Sequence, residues 1–180
     1  MDRFTGAGTE NMTISTKRRV FESGHYRKFL VVIDDTPEFE VALYFAARVA
    51  SRTGGRLAML YVNEPVKMSG WFDIKGDVSA DPEDRAKKEV DRFRAKLEGF
   101  GLKKLRTEAI IRSGDTAEEI IRVIERDEDI AVLVLGASES RRGPGPLVSS
   151  LAAGSAAGAF PIPIYIVPGH LTPEEISALA

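Results

Sequence analysis

From residue 28 onward the chain alternates between two patterns. Short, continuous apolar runs recur, and each is followed by a stretch whose apolar residues fall three and four apart. Phe29-Leu30-Val31-Val32-Ile33 is the first such run, and it ends at Asp34-Asp35. A run apolar at every position suits a strand covered on both faces, as in a parallel sheet. Thr36-Pro37-Glu38 then supplies a helix start, with a hydroxyl at the N-cap, proline in the first turn and an acid beside it. Val41, Leu43, Phe45, Ala46, Val49 and Ala50 give that helix its apolar face, and Gly54-Gly55 stops it.

The alternation continues to the end of the chain. Residues 57–62 predict a second strand. Asp81-Pro82-Glu83 opens a charged helix with Ala86, Val90, Phe93 and Leu97 on one face, closed by Gly99 and Gly101. Residues 106–112 predict a third strand, and Gly114-Asp115-Thr116 leads into a helix carrying Ile120, Ile121, Val123 and Ile124. A fourth strand over 130–135 ends at Gly136. Small apolar residues over 147–158 suit a tightly packed helix, and a fifth strand is expected over 162–167. Thr172-Pro173-Glu174-Glu175 has capping-box spacing and predicts a short C-terminal helix. Parallel strands need right-handed crossovers. The pattern therefore predicts an α/β fold, a doubly wound five-stranded parallel sheet with helices on both faces.

Three regions follow from this reading. Residues 28–168 form the domain, and residues 169–180 form a C-terminal extension with its short helix. Residues 1–27 lack either periodicity and carry the basic run Lys17-Arg18-Arg19. They read either as a mobile tail or as an arm that packs on a partner subunit or an acidic surface. Residues 63–80, with Pro65, Gly70, Trp71 and Gly76, read as a long loop of the kind that often carries function.

Composition narrows the classes. The chain has 180 residues, 43% of them hydrophobic and 29% charged, as one globular domain requires. Its net charge of −2 gives no general attraction to nucleic acid or to an anionic membrane. It has no cysteine, so disulfides, thiolate metal sites and cysteine nucleophiles are excluded. No apolar run approaches the roughly 18 residues of a membrane helix. The polar N-terminus lacks the apolar core of a secretory signal, and a cytoplasmic location is expected. Histidine occurs only as His25 and His170, which argues against a metal cluster or a Ser-His-Asp triad.

Two strand ends carry distinctive chemistry. In open α/β sheets ligands sit beyond the carboxyl ends of the strands, where the strand order reverses. The first strand ends in Asp34-Asp35-Thr36, and the fourth in Gly136-Ala137-Ser138. A carboxylate there accepts from a base amine or a ribose hydroxyl, or it serves the helix start alone. A glycine there lets a ligand reach the backbone, or it eases the turn alone. The loop Ser138-Glu139-Ser140-Arg141-Arg142-Gly143-Pro144-Gly145-Pro146 leads to a helix with Ser149 and Ser150. Glycines before a helix start suit a phosphate, whereas Pro144 and Pro146 each remove a donor. Neither GxxxxGK[ST] nor a GxGxxG after the first strand is present.

Taken together, residues 32–47, the segment Ile111-Arg112-Ser113-Gly114-Asp115-Thr116-Ala117-Glu118-Glu119-Ile120-Ile121 and the ending Phe160-Pro161-Ile162-Pro163-Ile164-Tyr165-Ile166-Val167-Pro168 resemble the universal stress protein family. The resemblance spans about residues 28–168 and implies the adenine nucleotide alpha hydrolase-like fold. It implies ATP or AMP as ligand, with or without magnesium. Asp34, Thr36 and Val62 would lie nearest the base and ribose, Leu135 and Gly136 beside the ribose and phosphates, and Ser149 and Ser150 at a phosphate. Nucleotide-binding members carry Gly-x2-Gly-x9-Gly-Ser/Thr after the fourth strand. Here Gly136 is the first glycine, Glu139 stands at the second, and Ser149 or Ser150 at the third. Glu139 would repel a triphosphate. The family also dimerises, which points to Ile162, Ile164 and Ile166 of the last strand.

Three functions follow as expectations. The first is a dimeric stress-response module that binds an adenine nucleotide. The second is a dimeric interaction protein of the same fold, with an unidentified protein partner and no nucleotide. The third is an enzyme such as a slow ATPase or nucleotidyl transferase, for which the sequence offers no activated base or metal constellation.

Overall fold

A computed structural model describes residues 17–64, 81–152 and 160–180. Along them run β1 (Lys28–Val32), α1 (Pro37–Arg52), β2 (Arg56–Asn63), α2 (Pro82–Gly99) and β3 (Thr107–Ser113). Then follow α3 (Thr116–Arg126), β4 (Ile130–Ala137), α4 (Pro146–Leu151), β5 (Ile164–Pro168) and α5 (Pro173–Leu179). The strands form one parallel sheet in the order β3-β2-β1-β4-β5. The expected doubly wound α/β architecture is the one observed.

Alternation along β1 divides the interior into two cores. Phe29, Val31 and Ile33 face one side, where α1, α2 and Ile176 of α5 cover them. Leu30 and Val32 face the other, beneath Ile120, Val123 and Ile124 of α3 and Val148 and Leu151 of α4. Charged α2 buries only Ala86, Val90, Phe93 and Leu97, one helical stripe. Its Phe93 meets Phe39 of α1 edge to face, with centroids 4.8 Å apart. The chain moves outward from β1 through β2 to β3 with helices on one face. It then returns to β4 and β5 with helices on the other, as right-handed crossovers demand. The reversal falls between β1 and β4.

Local chemistry moves some boundaries. β5 begins at Ile164 rather than at residue 162, because Pro161 and Pro163 have no N–H to give a ladder. Pro163 contributes only its carbonyl, which accepts from the Leu133 N–H at 3.1 Å. Ile162 is 6% exposed and sits in the second core, so it is not available to a partner subunit. The helix expected over 147–158 starts one residue earlier as α4, and residues 153–159 lie outside the described residues. So do residues 1–16 of the tail and 65–80 of the long loop, Trp71 among them.

Residues 17–27 pack on the domain itself, at the end of the sheet where β1 and β4 begin. Arg18 Nη1 donates to the carbonyls of Ile124 at 2.7 Å, Asp127 at 2.9 Å and Ile130 at 3.3 Å. A cation is thereby held at the carboxyl end of α3, where the helix dipole favours one. Arg19 N–H donates to the Glu128 carbonyl, and His25 Nδ1 lies 2.6 Å from Asp129 Oδ1. The Arg56 guanidinium covers the Tyr26 ring at 3.5 Å. Residues 17–27 thus pack on the chain's own surface.

One contact sets the geometry at the opposite end. The first turn of α1 lies directly on the end of β4, at Gly136. A Cβ at Gly136 would stand 2.2 Å from the Glu38 carbonyl oxygen and 2.5 Å from its carbon. Both are backbone atoms, so neither can swing aside. Gly136→Ala is therefore expected to destabilise the fold by at least about 1–3 kcal/mol, the usual overpacking range. Urea denaturation measures this, and wild-type stability in the variant would contradict the contact.

Candidate functional site

Beyond the carboxyl ends of β1 and β4 the chain encloses a cavity of about 490 Å³. That volume falls in the range of small-molecule sites. Its apolar wall includes Val32, Val62, Val134, Leu135, Leu147 and Val148. Its polar groups are Asp34, Asp35, Thr36, Glu38, Glu64 and Thr116. Every polar group except Glu38 stands within a few residues after a strand end, because each strand delivers its next residues to this rim.

Five of the residues singled out from the sequence meet here: Asp34, Thr36, Val62, Leu135 and Gly136. Ser149 and Ser150 do not line the cavity and are exposed. Ser150 Oγ donates to the Leu147 carbonyl at 3.2 Å, and the Ser149 N–H to Gly145 at 3.0 Å. Because α4 starts at Pro146, its residues Leu147 and Val148 face inward and the two serines turn outward. Gly136 lines the cavity, but the space its missing side chain leaves is filled by Glu38 of α1.

Asp34 is half-buried at the tip of β1. Its Oδ1 accepts from the Thr36 N–H at 2.9 Å and from Thr36 Oγ1 at 2.5 Å. This turn holds Thr36 at the head of α1, where its hydroxyl makes no cap bond of its own. Both bonds use Oδ1, and neither uses Oδ2. Burial raises the Asp34 carboxyl above its ordinary pKa, against the two bonds from Thr36 and with added repulsion from Glu38 and Asp35.

Residues not foreseen from the sequence supply further polar groups. Glu64, just past β2, accepts from Thr116 Oγ1 at 2.5 Å and from the Thr116 N–H at 3.3 Å, at the head of α3. Glu38 lies across Gly136. Position after a strand end was the available signal for Glu64 and Thr116. Glu38 had no signal beyond its place in a helix start. Glu139 does not line the cavity: it pairs with His170 at 3.2 Å on the outer surface. Among the described residues, the acidic members of the lining are instead Asp34, Asp35, Glu38 and Glu64, and no lysine or arginine belongs to it.

The loop after β4 uses many of its donors internally. The N–H of Ser138 bonds to the Pro144 carbonyl, that of Ser140 to Ser138 Oγ, that of Arg142 to Ser140 Oγ, and that of Gly143 to the Ser140 carbonyl. Pro144 and Pro146 have none to offer. Among the described residues no cluster of three or more His, Asp or Glu side chains is placed to hold a metal ion.

A doubly wound sheet with a cavity at its switch point defines an open α/β domain of the class in which ligands sit at that point. Within that class, the sequence profile of the universal stress protein family matches residues 25–168, and the chain belongs to this family. Similar solved structures include the universal stress protein UspA from Lactobacillus plantarum, 17% identical with a TM-score of 0.53 over 79% of this chain and 98% of that one. A universal stress protein from Archaeoglobus fulgidus is 17% identical with a TM-score of 0.50, over 79% of this chain and 94% of that one. A universal stress protein solved in complex with cAMP is 12% identical with a TM-score of 0.53, over 81% and 98% of the two chains. At these identities the likeness is one of fold. No curated protein sequence matches the chain. Among the described residues no helix is long and apolar enough to cross a membrane.

Asp34 makes a pH-dependent contribution whose sign is fixed by its raised pKa. The native state holds this proton more tightly than the unfolded chain, so the group disfavours folding once it ionises, and that cost is relieved as pH falls through the raised value. Asp34→Asn keeps an acceptor for Thr36 and removes the charge. Its melting temperature is expected to exceed wild type at neutral pH, with the gap closing on acidification. A variant less stable than wild type at neutral pH would contradict this.

Proposed function

We propose that this universal stress protein is a cytoplasmic stress-response module that holds an adenine nucleotide, or its nucleoside, in the cavity between β1 and β4 and works as a homodimer. The observation that carries the reading is the cavity itself, whose lining combines the apolar Val62, Leu135 and Leu147 with the carboxyl of Asp34. A planar base suits the apolar lining, and a carboxylate suits an exocyclic amine or a ribose hydroxyl. That a neighbour of the same fold is solved with cAMP supports an adenine ligand. No acid–base pair or metal cluster among the described residues supports turnover, so occupancy rather than chemistry is the signal.

Support for the dimer comes from β5, an edge strand. Tyr165 and Ile166 are 43% and 47% exposed, and Leu179 of α5 is 67% exposed. With Phe45 and Leu171 they line an apolar groove of about 450 Å³. An apolar edge of this kind is usually covered in solution, and a two-fold axis along β5 would cover it with itself. The contact would use Tyr165 and Ile166 rather than Ile162, and Ile164 packs largely on the second core.

A second reading, an interaction protein of this fold without nucleotide, draws on the internally bonded loop after β4. Calorimetry separates the two. Saturable binding of AMP or adenosine is expected, weakened at least about tenfold, or about 1.4 kcal/mol, in Asp34→Ala. No heat with any adenine ligand at millimolar concentration would select the second reading. Sedimentation should give a dimer in wild type and a monomer in Ile166→Glu. A monomeric wild type would remove the dimer.

A further inference from the structure

Resting on the adenine reading, we infer that the cavity takes the nucleoside part of its ligand and selects against a phosphate chain. Charge is the first reason. Among the described residues, four acidic ones, Asp34, Asp35, Glu38 and Glu64, line the cavity, and no lysine or arginine does. Arg141 and Arg142 of the nearby loop are exposed and outside the lining. Anionic phosphates brought into this half-enclosed space meet repulsion that the surrounding water screens only in part.

Occupied donors are the second reason. Helix N-termini ordinarily offer free N–H groups to phosphate. Three helices, α1, α3 and α4, begin at this cavity: α1 and α3 each already hold a carboxylate of the chain, and α4 opens with Pro146, which has no N–H. The Thr36 N–H donates to Asp34 at the head of α1. The Thr116 N–H and hydroxyl donate to Glu64 at the head of α3. In the loop after β4, Ser138, Ser140, Arg142 and Gly143 give their N–H groups to one another's oxygens or to Pro144. A phosphate would have to displace these internal acceptors, whereas an uncharged ribose can donate its hydroxyls to the same carboxylates. The ligand class is thus a neutral purine-type nucleoside, with a monophosphate tolerated less well and a triphosphate least.

The test is a calorimetric series with adenosine, AMP and ATP on the full chain, with and without magnesium, at two salt concentrations. Adenosine is expected to bind at least about tenfold more tightly than ATP, with AMP between them. The gap should narrow at high salt and in the double variant Glu38→Gln, Glu64→Gln, which keeps side-chain size and an acceptor for Thr116. ATP binding as tightly as adenosine, with or without magnesium, overturns the selectivity and leaves the adenine site standing. An unchanged gap in the double variant also overturns it, since the carboxylates would not be its cause. Failure of all three ligands to bind overturns the adenine reading itself.

Discussion

The close approach of α1 to β4 governs the rest of the molecule. Gly136 and Gly169 leave no side chain between the sheet and Glu38, so the first turn of α1 rests on backbone. That contact fixes where α1 begins, and with it the turn in which Asp34 holds Thr36. It also fixes one wall of the opening between β1 and β4. Strand order alone places a crevice at the reversal. The packing of α1 gives this crevice its dimensions and brings Glu38 to its rim.

Helix α3 illustrates how the chain supplies its own counter-charges. Glu64 stands at its head and Arg18 at its tail, each at the end whose partial charge it opposes. The N-terminal segment is thereby tied to the end of the sheet remote from the cavity, while the carboxylate occupies the end that opens on it. The two cores between these ends provide a rigid frame. A half-buried carboxylate with a raised pKa is a poor way to stabilise such a frame. At Asp34 that cost is met in part by the two bonds from Thr36 that shape the turn into α1.

Much of the fold was legible because burial on both faces leaves a simple signature. Residues 29–33 and 130–135 are apolar throughout, and the stripe Ala86, Val90, Phe93, Leu97 has no competing period. Asp34, Thr36 and Gly136 could be read from where strands stop, and Val62 and Leu135 came from the family resemblance; all five line the cavity. What depends on distant contacts was not legible. Nothing local says that Glu139 turns to His170, that Glu64 reaches Thr116, or that Arg18 finds three carbonyls more than a hundred residues away. The serines were placed by the spacing of the family's motif, and in the structure they stand exposed on α4 while Leu147 and Val148 line the cavity. Ile162 looked like part of an exposed alternation, yet the prolines on either side delay the start of β5 to Ile164, and Ile162 lies in the core.

The central claim is that the ligand sits at the mouth between β1 and β4. The most direct measurement is amide chemical-shift mapping of the isotopically labelled protein during addition of adenosine. The account predicts saturable shifts at residues 34–39, 62–64, 116, 134–136 and 145–148, with residues 18–28 and 127–130 unmoved. Saturable shifts confined to β5 and α5, or to the docked N-terminal segment, would contradict it.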